Sequence, residues 1–248
     1  MLRLFCIALA CLLVSGNVLA HFSIDKTRLY FDRSKRFQTL TLRNSSDKPI
    51  SYSIKVNHVA MTLEGGLVPV ADDKAYKSAK RLLRYSPRKG NMVPGESQIL
   101  RFTVRKPKGL EEGEYRSQLR IEGRLSNDPN LLAAKLAYNL PIIIRHGKPK
   151  ATADIELVGL ETNDSGSPVL MLNILRDGNR SLFGNFTITN AEGRVIGETK
   201  GMSVYEPLSK RLARINLEGL VTSEITVRYE ELKEYGGDNK TKRIFNLR

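Results

Sequence analysis

The chain has 248 residues, with 40 Lys and Arg against 26 Asp and Glu, a formal net charge of +14 and only two cysteines. That length accommodates two domains with cores of their own, and the charge suits an anionic partner: nucleic acid, a membrane surface or an acidic polypeptide. Tryptophan is absent and aromatic residues make up 7% of the chain, which argues against a carbohydrate groove lined with stacking rings.

Residues 1–20 read as a signal peptide. Arg3 gives a short positive start, Leu4 to Val14 is an apolar run too short to span a bilayer comfortably, and Ser15-Gly16-Asn17 breaks it. Val18-Leu19-Ala20 then places small residues at the −3 and −1 positions of a signal-peptidase site, so the mature chain is expected to start at His21. An uncleaved N-terminal anchor is the alternative. Cleavage removes Cys6, Cys11 and Arg3, leaving 228 residues, no cysteine and a net charge of +13. A disulfide framework, a thiolate zinc site and a cysteine nucleophile are thereby excluded, and each domain must bury its core without a covalent staple. No second long apolar run follows, so no stable membrane insertion is expected. Export, and the lack of any DNA- or RNA-binding signature, argue against nucleic acid.

The mature sequence then reads as strands and turns. Ile50, Tyr52, Ile54 and Val56 alternate with polar residues, as do Leu100, Phe102 and Val104, and Tyr115, Ser117, Leu119 and Ile121 alternate with Arg116, Gln118, Arg120 and Glu122. Turn clusters separate them at Asn44 to Asp47, Gly65-Gly66, Pro94-Gly95 and Asn127 to Pro129. One stretch departs from this pattern. Lys77, Lys80, Arg81, Arg84 and Arg88 follow a helical spacing with no acid between Asp73 and Glu96, so a short helix or loop there would present a basic face, either simply solvated or a docking patch. In the second half, alternation returns at Leu170 to Ile174, Phe186 to Ile188 and Ile225 to Tyr229, and the chain closes with Ile244 to Leu247. The polar His146 to Lys150 stretch, broken by Gly and Pro, marks the boundary between a domain of residues 21–146 and one of residues 147–248. Short alternating strands at this spacing indicate an all-β protein of two antiparallel sandwiches rather than βαβ units.

Nothing in the pattern points to catalysis. His21, His58 and His146 are scattered without metal-ligand spacing, and there is neither a nucleophile elbow nor a phosphate-cradling glycine loop. No catalytic residue, metal or cofactor is expected. The most informative segment is Asn130 to Arg145, where Leu132, Ala134, Leu136, Tyr138, Leu140 and Ile142 form an apolar row at period two. Such a row either buries one face of a sandwich or lies on an edge strand offered to another protein's sheet, where main-chain bonds give affinity and alternate side chains fill pockets. An uncovered edge of this kind would otherwise invite aggregation.

Several stretches resemble the periplasmic pilus (fimbrial) chaperones: Ile24 to Asp32, Tyr85-Ser86-Pro87-Arg88, Val93 to Arg101, Glu114 to Ser117 and Pro141 to Arg145. These cover most of the first domain, whereas the second matches only in general character. The resemblance implies two immunoglobulin-like β-sandwich domains in an L-shaped arrangement. It also implies a periplasmic chaperone that works without ATP, completes pilus subunits lacking their last strand, and passes them to an outer-membrane usher. The lent strand would be Asn130 to Ile144. A basic pair in the cleft would grip the subunit's C-terminal carboxylate, and Arg28 occupies the matching position for one member unless it pairs with a neighbouring acid. The family's usual Lys, four residues before the Arg aligned with Arg145, is Pro141 here; Arg88, then Lys135, are the candidates for the second cation. Arg116 replaces the family's Glu before the F-strand Ser, so the interdomain ion pair built on that Glu is not implied. Self-association of the free form would hide the edge. The alternative is an exported immunoglobulin-like structural or adhesive surface protein.

Overall fold

A computed structural model describes residues 22–125, 136–219 and 221–247. The segment read as a signal peptide lies outside them, as do Asn130 and the Leu132, Ala134 and Lys135 positions of the apolar row and anchor. Among the described residues there is no α-helix, and two 3-10 turns, Asp72–Lys74 and Lys233–Tyr235, interrupt a chain otherwise made of strands and loops.

The first ten strands build one sandwich. They are β1 (Phe22–Ile24), β2 (Leu29–Phe31), β3 (Phe37–Asn44), β4 (Ile50–Met61), β5 (Leu67–Val70), β6 (Leu83–Ser86), β7 (Lys89–Met92), β8 (Ser97–Val104), β9 (Gly113–Leu125) and β10 (Leu136–His146). One sheet runs β1-β3-β8-β6; the other runs β2-β10-β9-β4-β5, with β7 also on β4. The period-2 residues named above do what alternation requires. Leu119 and Ile121 of β9, Leu140, Ile142 and Ile144 of β10, Leu100 and Phe102 of β8 and Ile54 and Val56 of β4 meet in one buried core with Phe22, Phe31 and Leu40. The second sandwich is made of β11 (Ala151–Thr162), β12 (Pro168–Gly178), β13 (Leu182–Asn190), β14 (Val195–Val204), β15 (Lys210–Asn216), β16 (Glu224–Glu231) and β17 (Lys240–Asn246). Its sheets run β11-β12-β15 and β14-β13-β16-β17, around a separate core that includes Leu170, Leu172, Ile174, Phe186, Ile188, Ile225 and Tyr229.

The basic stretch does not form the expected common face. Ala79, Leu82 and Leu83 are buried, a single turn forms as the Leu82 and Leu83 amides bond to Ala79 O, and the chain then joins β8 as strand β6. Pairing with β8 captures the residues a helix would have needed. The cations consequently scatter. Lys77, at a positive φ of 36°, turns toward Glu206 of the second domain, Lys80 pairs with Asp72, and Arg88 lies beside the Tyr85 ring.

His58 of β4 is buried between two hydroxyls, with Ser78 Oγ 2.9 Å from Nε2 and Ser117 Oγ 3.5 Å from Nδ1. Burial holds its pKa below the ordinary 6.5, against the opposing pull of Asp72. A depressed histidine pKa means that the unfolded chain takes up the proton first. Stability should therefore be fully present above the unfolded value and be lost as pH falls from 6.5 toward the folded value. Denaturant titrations across that window should show this slope in the wild type and a flatter one in His58→Asn; equal slopes would show that His58 does not titrate in this way.

Candidate functional site: an open strand edge beside an interdomain cleft

Strand β10 is paired along its whole length with β9, from Leu136 opposite Gly123 to His146 opposite Gly113. On its other edge, β2 covers only Ile142 to Ile144, in parallel register with Leu29 to Phe31. The edge from Leu136 to Pro141 is open. Pro141 fixes which backbone groups face outward. Its nitrogen has no hydrogen to give to the β9 ladder, so it must point to the open side. Main-chain groups alternate with the side chains along a strand. The outward-facing groups are thus the N–H and C=O of Ala137 and Asn139 and the carbonyl of Pro141, a short template ready for a further strand.

The side chains of this strand divide between two faces. Leu140 and Ile142 are buried in the first domain's own core, while Leu136 and Tyr138 are partly buried against it. The Tyr138 hydroxyl donates to Phe22 O at 2.7 Å, and its ring stands edge-on to Phe22 with centroids 4.9 Å apart. This corrects one expectation: Leu140 and Ile142 are already committed to the core that holds β10 in place, and cannot also fill a partner's pockets. Tyr138 is partly committed in the same way.

The opposite face of this sheet carries Arg28 and Tyr30 beside β10, Ile143 and Arg145 on β10, and Glu114, Arg116, Gln118 and Arg120 on β9. The second domain covers one half of it. Arg145 Nε donates to Glu114 Oε2 at 3.1 Å and Nη1 donates to Gly236 O of the second domain at 2.7 Å. Glu114 and Arg145 stand directly opposite each other in the strand register, and both are buried. The second domain braces its side with Arg180, which makes a bidentate pair with Glu231 at 2.8 Å for each bond. Hairpin contact adds a further tie: Leu212 N bonds to Leu63 O at 2.7 Å. Gly65, with φ at 85°, lets Arg211 approach that hairpin tip, because an added Cβ would overlap the guanidinium.

Three arginines at this junction have no acid partner among the described residues. Among the described residues Arg28, Arg116 and Arg211 make no ion pair, whereas Arg145, Arg180 and Lys77 are paired with Glu114, Glu231 and Glu206. The guanidinium of Arg28 sits 3.6 Å from the Phe183 ring centroid and 5.4 Å from that of Tyr235. Arg116 lies 4.2 Å over Tyr205 and donates from Nη2 to Val59 O at 3.0 Å. Arg211 donates from Nη1 to Ser203 O at 2.8 Å. The Nε atoms of Arg116 and Arg211 are buried without a hydrogen-bond partner. Stacking on rings holds Arg28 and Arg116 in place without neutralising them, so the cleft holds preset positive charge.

Beyond the covered half, the same face continues as a groove of about 620 Å³ whose floor is Asn57, Gln118, Arg120 and Asn139 and whose wall is Val59, Leu67, Pro69 and Val70. It runs alongside the open edge.

No protein-family model matches the chain, and no curated protein sequence matches it. Solved structures do. The YadV chaperone gives a TM-score of 0.54 at 11% identity, covering 92% of this chain and 100% of that one. The fold is that of the pilus chaperones. A chain from the complex of the Salmonella enterica SafA pilin with the SafB chaperone gives a TM-score of 0.50 at 16% identity, covering 91% of this chain and 96% of that one. The CsuC–CsuE chaperone–tip adhesion subunit pre-assembly complex, from the archaic chaperone-usher Csu pili of Acinetobacter baumannii, gives 0.50 at 14% identity, with 92% and 100% covered.

Of the anchor residues read from sequence, Arg28 stands in the cleft and the alternative of a neighbouring acid partner is not found among the described residues. Arg88 is elsewhere. Its carbonyl bonds to Ile54 N on the far side of β4, about four strand spacings or roughly 19 Å from Arg28, and it cannot share one carboxylate with it. Lys135 lies outside the described residues. Sequence reasoning missed Glu114, Arg211 and the rings of Phe183, Tyr205 and Tyr235. It registered Arg116 only as a lost acid, although the alternation of β9 already placed it on the same face as Glu114.

Removing one partner of the buried Glu114–Arg145 pair leaves the other charge uncompensated. Arg145→Met is expected to destabilise the protein by about 3–5 kcal/mol, and the double variant Glu114→Gln, Arg145→Met to recover a large part of that loss. Chemical denaturation of the three proteins checks this; equal loss in the single and double variants would mean the pair is not coupled.

Proposed function

We propose that this protein is a periplasmic chaperone for pilus subunits. It binds a subunit through the open edge of β10, holds the subunit's C-terminal carboxylate on Arg28, and releases it to an outer-membrane usher without ATP or any enzymatic step. The observation that carries this reading is the juxtaposition of an open strand edge with a cation that no acid among the described residues neutralises. The first supplies directional main-chain bonds along a strand, and the second marks where that strand must end. The pilin and tip-subunit complexes of the SafB and CsuC structures are in keeping with it.

The physics of register explains why both parts are needed. A strand added to an edge gains hydrogen bonds in any of several alignments, and a slip of one residue turns every side chain to the wrong face. A carboxylate held by a fixed guanidinium selects one alignment, since charge-assisted bonds are short and directional. Among the described residues of the row, Leu136 is the side chain left to enter a partner's groove. Leu140 and Ile142 anchor the strand to its own domain. The residues before His21 would be the export signal, and residues 21–146 and 147–248 the two domains.

Two substitutions separate the parts. With the chain co-expressed beside the pilus subunit of its own gene cluster, Arg28→Ala should reduce the recovered complex about ten- to hundredfold, the worth of one charge-assisted bond, while the free protein melts as before. Undiminished recovery would remove the anchor assignment. Asn139→Pro deletes an outward N–H without touching the β9 ladder and should likewise weaken capture. Normal capture by a folded Asn139→Pro would show that the subunit does not pair with this edge.

A further inference from the structure

Stacking on Phe183 occupies one face of the Arg28 guanidinium and leaves its in-plane N–H edge to meet a carboxylate. A second cation in the same partly dry cleft would hold that carboxylate more firmly than Arg28 alone. We propose that Arg116 is that second cation, an F-strand arginine doing the work the resemblance assigns to a G-strand lysine. This assignment rests on the chaperone reading above and adds a residue and a partner group to it.

Three observations lead to Arg116. The first is register. Tyr30, Ile143 and Arg116 stand side by side across β2, β10 and β9, and Arg28 lies two residues before Tyr30 on the same face. Two strand spacings and two residues along the strand separate the Cα atoms by about 12 Å, a gap that two arginine side chains can close around one carboxylate. Pro141 and Ile143 of β10 lie between them.

The second is unsatisfied chemistry. Arg116 makes no ion pair among the described residues, the hydrogen bond of its side chain there goes to Val59 O, and its Nε is buried without an acceptor. A buried donor without a partner is costly, and an incoming carboxylate oxygen would satisfy it. The third is electrostatic. Burial works against the Arg116 charge, and the neighbouring Arg28 adds to that, while Tyr205, Glu114 and Glu206 work the other way. An anion placed between Arg28 and Arg116 would relieve both unfavourable influences at once.

The stacking of Arg116 on Tyr205 has a functional corollary. Tyr205 belongs to the second domain, so an anion on Arg116 would be bound across the junction, by residues of both domains. Ligand binding and domain apposition would then support each other, and the carboxylate would be gripped best when the domains are in contact.

The experiment uses the mature protein with ¹⁵N-labelled arginine and sodium acetate as the carboxylate probe, titrated against sodium chloride at matched ionic strength. The Nε–H resonances of Arg28, Arg116 and Arg211 are assigned from their Gln variants. Acetate should move the Arg28 and Arg116 signals with one shared dissociation constant. Arg116→Gln should weaken acetate binding seen at Arg28 about tenfold, and Arg116→Lys should restore most of it. A residue that only joined the domains through Tyr205 would not be rescued by Lys, which keeps the charge and loses the planar stack. Acetate that moves Arg28 alone, or Arg28 with Arg211, would overturn the assignment and leave the carboxylate site standing. Acetate that moves neither Arg28 nor Arg116 would overturn both. If the Arg116 variants do not fold, the wild-type titration still decides the matter, with the Arg116 signal assigned by through-bond correlation in uniformly ¹³C,¹⁵N-labelled protein.

Discussion

A sheet face of the first domain that bears Arg28, Tyr30, Glu114, Arg116 and Arg145 is half covered by the second domain, and burying that much charge requires each group to find a partner. Glu114 and Arg145 find each other. Arg28 and Arg116 are stacked on aromatic rings and make no ion pair among the described residues. That division shapes the rest of the molecule. The acid pair, extended by the bond from Arg145 to Gly236 O, ties the domains together, and the ring-stacked arginines keep their charge available in the gap between them. Had acids been placed against all three cations, the junction would have been tighter and electrically silent.

The open edge is handled with equal economy. A long exposed strand is an aggregation hazard, and here two features shorten it: β2 covers Ile142 to Ile144, and Pro141 removes one outward donor. What remains is a few backbone groups at Ala137 to Pro141, next to a groove with a polar floor and an apolar wall. The strand keeps its place because Leu140, Ile142 and Ile144 are embedded in the core. A strand can be lent only if it is also firmly owned.

Much of the fold was legible in the sequence because period-2 alternation is a local signal. The strands around Ile50 to Val56, Leu100 to Val104 and Tyr115 to Ile121 are where the alternation put them. The basic stretch misled for a physical reason: the spacing of Lys77, Lys80, Arg81 and Arg84 suits a helix, but Leu83 onward pairs with β8, and pairing across the sheet overrides local spacing. The apolar row of Leu132 to Ile142 was visible as a row, but which of its members a core claims depends on how far β10 extends over the sandwich. The cleft was hardest to read. Tyr205 meets Arg116 only after two domains have folded and docked, so no spacing along the chain announces it, and Arg116 appeared as a missing acid instead of a placed cation.

The central claim is that the outward backbone of β10 receives a strand from a pilus subunit. Amide hydrogen exchange, compared between the free protein and its complex with the co-expressed subunit, tests it most directly. The account requires the Ala137 and Asn139 amides to exchange readily in the free protein and to become protected in the complex, with the amides of Ile142 to Ile144 protected in both. A stable complex in which Ala137 and Asn139 exchange as fast as in the free protein would contradict it.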